Sequence, residues 1–441
     1  MHKNKMKDTI RQDSEKPIIG FLPCFYSMGE TIPLIKIAKS YKDLGGRVIF
    51  FSHRGEYEHL AEEAGCDIIQ LNDILENISK EGKHMFKQGT GVVKNWKKAY
   101  TPKIIKKAVE EEIRAFTKNN IRLVVSSFNL TTSISARAAD IPIVTVVSGV
   151  TIPPYYESGY ITFPVNYEYL FTKIFPSKIK NRLIQWILLH NKMLVRAFNK
   201  IAKKYNVPLY KNFNDIILGD HTFVCDDLTF LGINPSKEFP RENFIGPIVG
   251  GKTFDKKKID MDLDLTAHLK KPGKSIVLIM GSTGARPLFL EIVEVLSQTK
   301  YNVIAVYTNL LNKNEVPKTG DNIFFKDFVA LDEILKKVDL AITHGGRGTI
   351  YDIAYSGKPA ICIPMFMEHQ GNVDNLVRQG SAVRLSKKFF KKEILLQSID
   401  NIFSNYDIYL KNAQQLSKSL QKESGEKKAA KRLFKIMELY Q

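Results

Sequence analysis

The sequence has little of what marks a secreted, disulfide-stabilised or membrane-spanning protein. Its 441 residues include four cysteines (Cys24, Cys66, Cys225 and Cys362) without paired or metal-type spacing, which fits reduced thiols in a cytoplasmic protein. No run of about 18 uncharged apolar residues occurs, so no transmembrane helix is predicted. Residues 1–16 are polar and charged and lack the apolar stretch of a signal peptide, so we expect a polar tail.

Acidic residues are scarce relative to basic ones. The chain has 65 Lys plus Arg against 46 Asp plus Glu, a net charge of +19, which implies an anionic partner. No acid occurs from Lys173 to Lys211, and a second basic stretch runs from Lys83 to Lys107. No zinc-finger, helix-turn-helix or RNP-type motif accompanies them, so nucleic acid is not the expected partner. An anionic membrane surface is favoured, and a solvated lysine-rich exterior is the alternative.

The stretch from about 178 to 205 predicts one long amphipathic helix. One side is polar and largely basic (Arg182, Gln185, Lys192, Arg196, Asn199 and Lys203), and another is apolar (Leu183, Ile187, Leu194, Phe198 and Ile201). An acid-free amphipathic helix is typical of an interfacial segment, although its apolar side could instead pack on a core. The expected location is the cytoplasm, with peripheral attachment to the inner face of the membrane as the hypothesis.

Short β-branched runs alternate with longer amphipathic segments, a pattern typical of parallel sheets flanked by helices. The alternation is interrupted by a Gly/Pro cluster at 245–251 and then restarts. The sequence therefore predicts an α/β fold with two Rossmann-like doubly wound domains facing across a cleft, where ligands bind at the strands' carboxyl ends. The expected domains are 17–245 and 246–404, and they are followed by C-terminal helices (405–441) that cross back to the first domain.

The most informative segment is a glycine-rich turn between a predicted strand and a predicted helix, His344-Gly-Gly-Arg-Gly-Thr349. Backbone N–H groups at such a helix start suit a pyrophosphate, and Gly346 and Gly348 leave them unobstructed. His344 and Thr349 can add hydrogen bonds. Asp352, one turn into the helix, can accept hydrogen bonds from ribose hydroxyls. Taken alone, the glycines also fit a plain connecting turn.

Polar residues follow the next predicted strand, where the hydroxyls of a sugar could be held: Glu368, His369 and Gln370. Together with the turn, this ordered set resembles the nucleotide-sugar signature of the GT-B glycosyltransferases, the UDP-glycosyltransferase and macrolide glycosyltransferase-like group, with MurG as a more distant relative. The residues that match the family pattern are His344, Gly346, Thr349, Asp352, Gly357, Pro359, Pro364, Glu368 and Gln370.

The resemblance implies an inverting transfer of a sugar from a nucleotide diphosphate, expected to be UDP-linked, to an acceptor hydroxyl, with a lipid-borne acceptor if the membrane hypothesis holds. The first domain would bind the acceptor and the second the donor. Ser282 would lie near the diphosphate, Phe328 and Val329 against the base, and the Glu-His-Gln run at the donor sugar. The resemblance implies no metal or other cofactor, because the family positions the diphosphate through His344-type and helix-start contacts. Asp262 and Asp264 form an Asp-x-Asp, but Asp264 fits a helix N-cap better than a metal ligand.

The first loop departs from the family. The family's catalytic His lies in a Gly-His-x-x-Pro element, whereas this sequence has Gly29-Glu-Thr-Ile-Pro33, so Glu30 takes the histidine's position. The Asp that orients the histidine is replaced by Ser127. An Asp beside Glu30 would raise its pKa by repulsion, whereas a serine can hydrogen-bond to it. Glu30 is the predicted general base, with a helix cap as the alternative.

Two other functions share this architecture. One is a UDP-N-acetylglucosamine 2-epimerase-like enzyme, which needs no acceptor. The other is a non-catalytic membrane subunit that binds a nucleotide sugar, which the altered His-Asp pair would permit.

Overall fold

The computed structural model describes residues 17–71, 92–249, 263–281, 283–308, 310–420 and 423–440. The predicted polar tail (1–16), residues 83–91 of the second basic stretch, Asp262 and Ser282 lie outside the described residues.

The first domain is built on a six-stranded parallel sheet. Its strands are β1 (Ile18–Pro23), β2 (Arg47–Ser52), β3 (Ile68–Gln70), β4 (Ile121–Ser127), β5 (Ile143–Val147) and β6 (His221–Val224). Their order is β3-β2-β1-β4-β5-β6. The central strands read as continuous apolar runs because helices cover both faces of such a sheet. The strand order reverses beside β1, so β1 and β4 open the crevice in which doubly wound sheets bind ligands.

The second domain repeats this architecture. Its strands are β7 (Ser275–Ile279), β8 (Asn302–Val306), β9 (Ile323–Lys326), β10 (Leu340–Thr343), β11 (Ala360–Cys362) and β12 (Ala382–Arg384). They pair in parallel in the order β12-β11-β10-β7-β8-β9. The equivalent crevice therefore lies beyond β7 and β10. The expected α/β class with two doubly wound sheets is confirmed.

Helices cover both sheets. Those before β7 are α1 (Met28–Asp43), α2 (His59–Glu63), α3 (Val92–Ala99), α4 (Pro102–Lys118), α5 (Thr132–Ala138), α6 (Pro153–Glu157), α7 (Leu170–Lys173), α8 (Ser177–His190), α9 (Arg196–Ala202), α10 (Phe213–Ile217), α11 (Leu228–Leu231) and α12 (Leu263–Leu269). Those after it are α13 (Arg286–Ser297), α14 (Leu331–Leu335), α15 (Arg347–Ser356), α16 (Met367–Arg378), α17 (Lys392–Ser404), α18 (Tyr406–Ser419) and α19 (Gly425–Glu438).

The last helix returns to the first domain. Leu433 of α19 is fully buried in the same core as Leu34 of α1. The rings of Phe434 and Tyr41 stack with centroids 4.3 Å apart. The C-terminal segment thereby connects the two sheets through apolar packing.

The single long helix expected over 178–205 is wrong. Helix α8 ends at His190, and α9 begins at Arg196. At the break, the backbone of Asn191 is extended and its side chain accepts a hydrogen bond from the N–H of Met193, 2.8 Å away. Such a local side-chain bond competes with the helical one. Phe198 is consequently buried in the first domain's core, so it belongs to no membrane-facing side.

Helix α8 keeps an exposed apolar stripe of its own. Ile179, Leu183 and Trp186 are 55%, 52% and 60% exposed, and their three- and four-residue spacing puts them on one face. None of the described helices is long and apolar enough to cross a membrane.

Candidate functional site

The glycine-rich turn leaves β10 and enters α15 at the carboxyl edge of the second sheet. Gly345 has a φ of +91°, a left-handed conformation that favours glycine. A Cβ on Gly346 would lie 2.6 Å from Nε2 of His344, whereas a Cβ on Gly348 would meet nothing within 4 Å. Gly345 thus allows the left-handed turn, Gly346 leaves room for the His344 ring, and Gly348 leaves the helix start open.

His344 and His369 are buried against each other. Their ring centroids are 4.8 Å apart at an interplanar angle of 86°. Burial lowers the pKa of His344 well below its usual value and the pKa of His369 to about 3. Both imidazoles are therefore neutral at neutral pH, so His344 has one ring N–H, and a hydrogen bond with the backbone of Ile279 opposes the lowering of its pKa.

Asp352 lies in α15 and is partly exposed. Burial, and then repulsion from Asp332, raises the pKa of its carboxyl to about 7, while Lys36 opposes the rise. Lys36 extends from α1 of the first domain, and its ammonium donates to the carbonyl of Val249. Asp352 thus titrates near neutral pH in a region that both domains enclose.

Glu30 lies in the first turn of α1, opposite the turn that carries His344. Its carboxylate accepts a hydrogen bond from the hydroxyl of Ser127 at the end of β4. The helix N-cap is Ser27, which makes no side-chain capping bond. Burial raises the pKa of Glu30, against the charge of Arg347 and the hydrogen bond from Ser127. The structure thus pairs Glu30 with Ser127, as the predicted base and its hydrogen-bond partner require.

The amide of Gln370 connects the two domains. It donates to Oγ1 of Thr162 at 2.6 Å and to the carbonyl of Phe163 at 3.0 Å, and its oxygen accepts from the N–H of Val165 at 2.9 Å. These contacts hold a loop of the first domain against α16. The contact between Gln370 and a donor sugar stays a prediction. In this structure, the amide of Gln370 is hydrogen-bonded to the protein instead.

Glu368 borders a cavity between the domains. Its carboxylate accepts from Nδ2 of Asn372 at 3.2 Å. The cavity has a volume of about 60 Å³, and its lining includes Val150, Tyr155, Tyr156, Leu188, Met367 and Glu368. One wall of the cavity is therefore apolar and comes largely from the first domain. The opposite wall carries the carboxylate of Glu368 from the second domain.

The two residues expected against the nucleotide base differ in exposure. Phe328 is 50% exposed, so its ring is available for stacking, whereas Val329 is buried in the core. Thr349 is partly exposed in the first turn of α15. Over the described ranges, no group of three or more His, Cys, Asp and Glu side chains could hold a metal ion, and the expected metal-free site stays a prediction.

Two charged residues near the site were missed from the sequence. Arg347 begins α15 and donates through Nη2 to the carbonyl of Gly29, 3.1 Å away in the first domain. Asp226 follows β6, is fully buried, and accepts from the N–H of Gly149 at 2.6 Å. Burial raises the pKa of Asp226 to about 6. The position of Arg347 within the glycine-rich turn indicated a place near the site. Its contact with the first domain could not be predicted from the sequence.

Comparison with known proteins agrees with this geometry. The kitacinnamycin glycotransferase superposes over 96% of this chain and 99% of its own with a TM-score of 0.67 at 16% identity. The calicheamicin glycosyltransferase CalG4 covers the same shares with a TM-score of 0.66 at 14% identity. The chain has the GT-B fold. At these identities, the structural likeness establishes the architecture alone.

In this GT-B chain, residues 275–433 match the family model described as the glycosyltransferase family 28 C-terminal domain. A UDP-N-acetylglucosamine–N-acetylmuramyl-(pentapeptide) pyrophosphoryl-undecaprenol N-acetylglucosamine transferase of Bacillus cytotoxicus is 32% identical over 177 residues, 37% of this chain and 47% of the relative. The Bacillus subtilis protein of that name is 28% identical over 183 residues, 38% of this chain and 49% of the relative. The match thus spans about half the length of these relatives.

Proposed function

We propose that the chain is an inverting, metal-independent glycosyltransferase that moves a sugar from a UDP-sugar to a hydroxyl of a lipid-borne acceptor. The observation that carries this proposal is the opposition of Glu30 in one domain and the His344 turn in the other. The hydrogen bond between Arg347 and Gly29 spans the two sides at 3.1 Å. A general base and a diphosphate-binding helix start therefore share one cleft.

The donor half of the proposal depends on the second domain. The family 28 match covers this domain, and the Bacillus relatives are named for a UDP-N-acetylglucosamine donor. The start of α15 offers free backbone N–H groups and a positive dipole end to a diphosphate. Neutral His344 adds a donor. These groups stabilise the leaving diphosphate in the role that a metal ion has in other transferases.

The transfer is a single displacement at the anomeric carbon. Glu30 accepts the proton of the acceptor hydroxyl as its oxygen attacks the face opposite the diphosphate. The bond from the anomeric carbon to the diphosphate oxygen breaks, and UDP leaves with that electron pair. Configuration is therefore inverted. Ser127 orients the carboxylate, and the raised pKa of Glu30 makes it a stronger base than an exposed glutamate.

The lipid-borne acceptor is supported by α8. Exposed Ile179, Leu183 and Trp186 lie on a helix whose charged residues are all basic, which suits an anionic bilayer surface. Leu188 of the same helix lines the cavity that Glu368 borders. Attachment through α8 would thus bring the cleft close to the headgroups. The Bacillus relatives are named for a pyrophosphoryl-undecaprenol acceptor, and we propose a peripheral location at the cytoplasmic face.

Calorimetry of UDP binding in excess EDTA tests the donor site. We expect UDP to bind with the same affinity in EDTA as in magnesium, and more tightly than GDP or TDP. Thr349→Val, which removes one hydroxyl at the helix start, should weaken binding. A strict requirement for magnesium or manganese would contradict the metal-free site, and equal affinity for all three nucleotides would contradict UDP as the donor.

A further inference from the structure

Arg347 belongs to the second domain, but it contacts the loop that carries the proposed base. Nη2 donates to the carbonyl of Gly29 at 3.1 Å, and Gly29 immediately precedes Glu30. Nη1 is enclosed and has no hydrogen-bond partner among the described residues. One side of the guanidinium is thus fixed to the first domain, and the other keeps a donor in the cleft.

Acidic groups from three separate elements act on this guanidinium. They are Glu30 of α1, Asp226 after β6 and Glu368 of α16. Burial lowers the pKa of Arg347, but Cys225 and these three carboxyl groups together raise it further above its usual value, so the residue is a permanent cation. The first domain thereby supplies two carboxyl groups and the second domain one carboxyl group and the cation.

The balance at Glu30 depends on this cation. Burial and repulsion from Glu368 favour the neutral acid, and Arg347 is the largest influence that favours the carboxylate, ahead of the Ser127 hydrogen bond. The other titratable neighbours are the thiols of Cys24 and Cys225, and burial raises the pKa of each to about 12. They are uncharged at neutral pH, so they cannot replace the cation.

We propose that Arg347 is a positioning residue for the base, which crosses from the donor domain to hold Glu30 as an oriented carboxylate. The proposal rests on the proposed function of Glu30 as the general base. Because Arg347 and Glu30 belong to different domains, the charge of Arg347 acts on the base only while the domains are in contact. The contact that keeps it there is the hydrogen bond to the carbonyl of Gly29.

An infrared titration tests this without a substrate. Subtracting the spectra of Glu30→Gln from those of the parent isolates the carboxyl band of Glu30, whose loss with pH gives its titration midpoint. Arg347→Gln keeps a donor for Gly29 but removes the charge. We expect it to raise the midpoint by about one pH unit or more. Arg347→Lys keeps a cation, so its Glu30 midpoint should stay close to the parental value.

The control is Arg122→Met, which removes an exposed arginine from the start of β4 and should leave the midpoint unchanged. An unchanged midpoint in Arg347→Gln would overturn the proposal, as would an equal shift in Arg122→Met. If Arg347→Gln does not fold, Arg347→Met gives the same loss of charge: a raised midpoint supports the proposal, and an unchanged midpoint overturns it.

The pH profile of transfer gives a second readout. In Arg347→Gln, the acidic limb of the kcat–pH profile should shift to higher pH by the same number of pH units as the infrared midpoint. Above the new midpoint, kcat should recover toward the parental value. A uniform loss of kcat at all pH values would overturn the positioning role. If the parent transfers no sugar to any acceptor, the proposed function fails, whereas the infrared titration still reports on Arg347 and Glu30.

Discussion

The hydroxyl of Ser127 donates to the carboxylate of Glu30 across the gap between β4 and α1. The same hydroxyl oxygen lies 3.0 Å from the carbonyl of Val146. A serine has one proton to donate, so it can serve the carboxylate or the carbonyl but not both. When Glu30 is protonated, its own O–H can donate to Ser127 while Ser127 turns to Val146. The pair can therefore accommodate Glu30 in both protonation states that a general base passes through.

Glu30→Gln tests the base directly. The substitution keeps the size and hydrogen bonding of the side chain but removes its basicity. We expect the rate of sugar transfer to fall by roughly 100-fold or more, while UDP affinity stays the same. Steady-state kinetics and UDP calorimetry on one preparation measure both. Retained transfer would identify Glu30 as a structural residue of α1.

Asp352 should make UDP binding dependent on pH near neutrality. Its pKa is raised to about 7, and the ribose contact is strongest for the ionised carboxylate. UDP affinity should therefore increase as pH rises from 6 to 8. Asp352→Ala should remove this increase and weaken UDP by about tenfold, with a smaller effect on free pyrophosphate. Equal losses for the two ligands would refute the ribose assignment.

The His344 turn can be tested with paired glycine substitutions. In Gly346→Ala, the new Cβ would lie 2.6 Å from His344 Nε2, so the imidazole must move. We expect UDP affinity to fall by up to about tenfold, the value of one lost hydrogen bond. The matched control is Gly320→Ala before β9, whose Cβ would meet only Asn322 Oδ1 at 3.4 Å, so its effect should be smaller. The reverse order in calorimetry would mean that His344 does not contact the diphosphate.

The apolar stripe of α8 should govern attachment to lipid. The double variant Leu183→Glu/Trp186→Glu places acids on an otherwise basic helix. It should lose co-sedimentation with anionic vesicles, and the parental binding should weaken as salt rises. Leu44 and Leu209 are similarly exposed, at 52% and 59%, and their double change to Glu is the matched control. Equal loss in both variants, or no parental binding at low salt, would exclude α8 as the contact.

Much of the fold could be predicted from the sequence. The alternation of β-branched runs with amphipathic segments predicted the two sheets, because buried parallel strands such as β1, β5 and β10 are continuous apolar segments. Strands β6, β9 and β12 show this pattern weakly, because each includes a polar or charged residue (His221, Lys326 and Arg384). The break between α8 and α9 was missed because one side-chain hydrogen bond of Asn191 overrides the helical period.

The candidate site was less predictable where it depends on domain contacts. The glycine-rich turn and Glu30 carry local signatures, so both were found. The bond from Arg347 to Gly29 joins residues 318 positions apart, which no local pattern encodes. Gln370 shows the converse problem, because its place in the motif predicts a sugar contact while its amide holds the loop at Thr162. A motif specifies the residue type but not every partner.

Mass spectrometry of the reaction products shows whether the chain transfers a sugar from a UDP-sugar to a lipid. The protein would be incubated with UDP-N-acetylglucosamine or UDP-glucose, with and without polyprenyl and other lipid acceptors in anionic vesicles. We expect a lipid product heavier by one sugar residue, an equal amount of free UDP and, by NMR of the product, inverted configuration at the anomeric carbon. Conversion of the UDP-sugar without acceptor would point to an epimerase. Unchanged lipid and UDP-sugar with every acceptor would contradict the account.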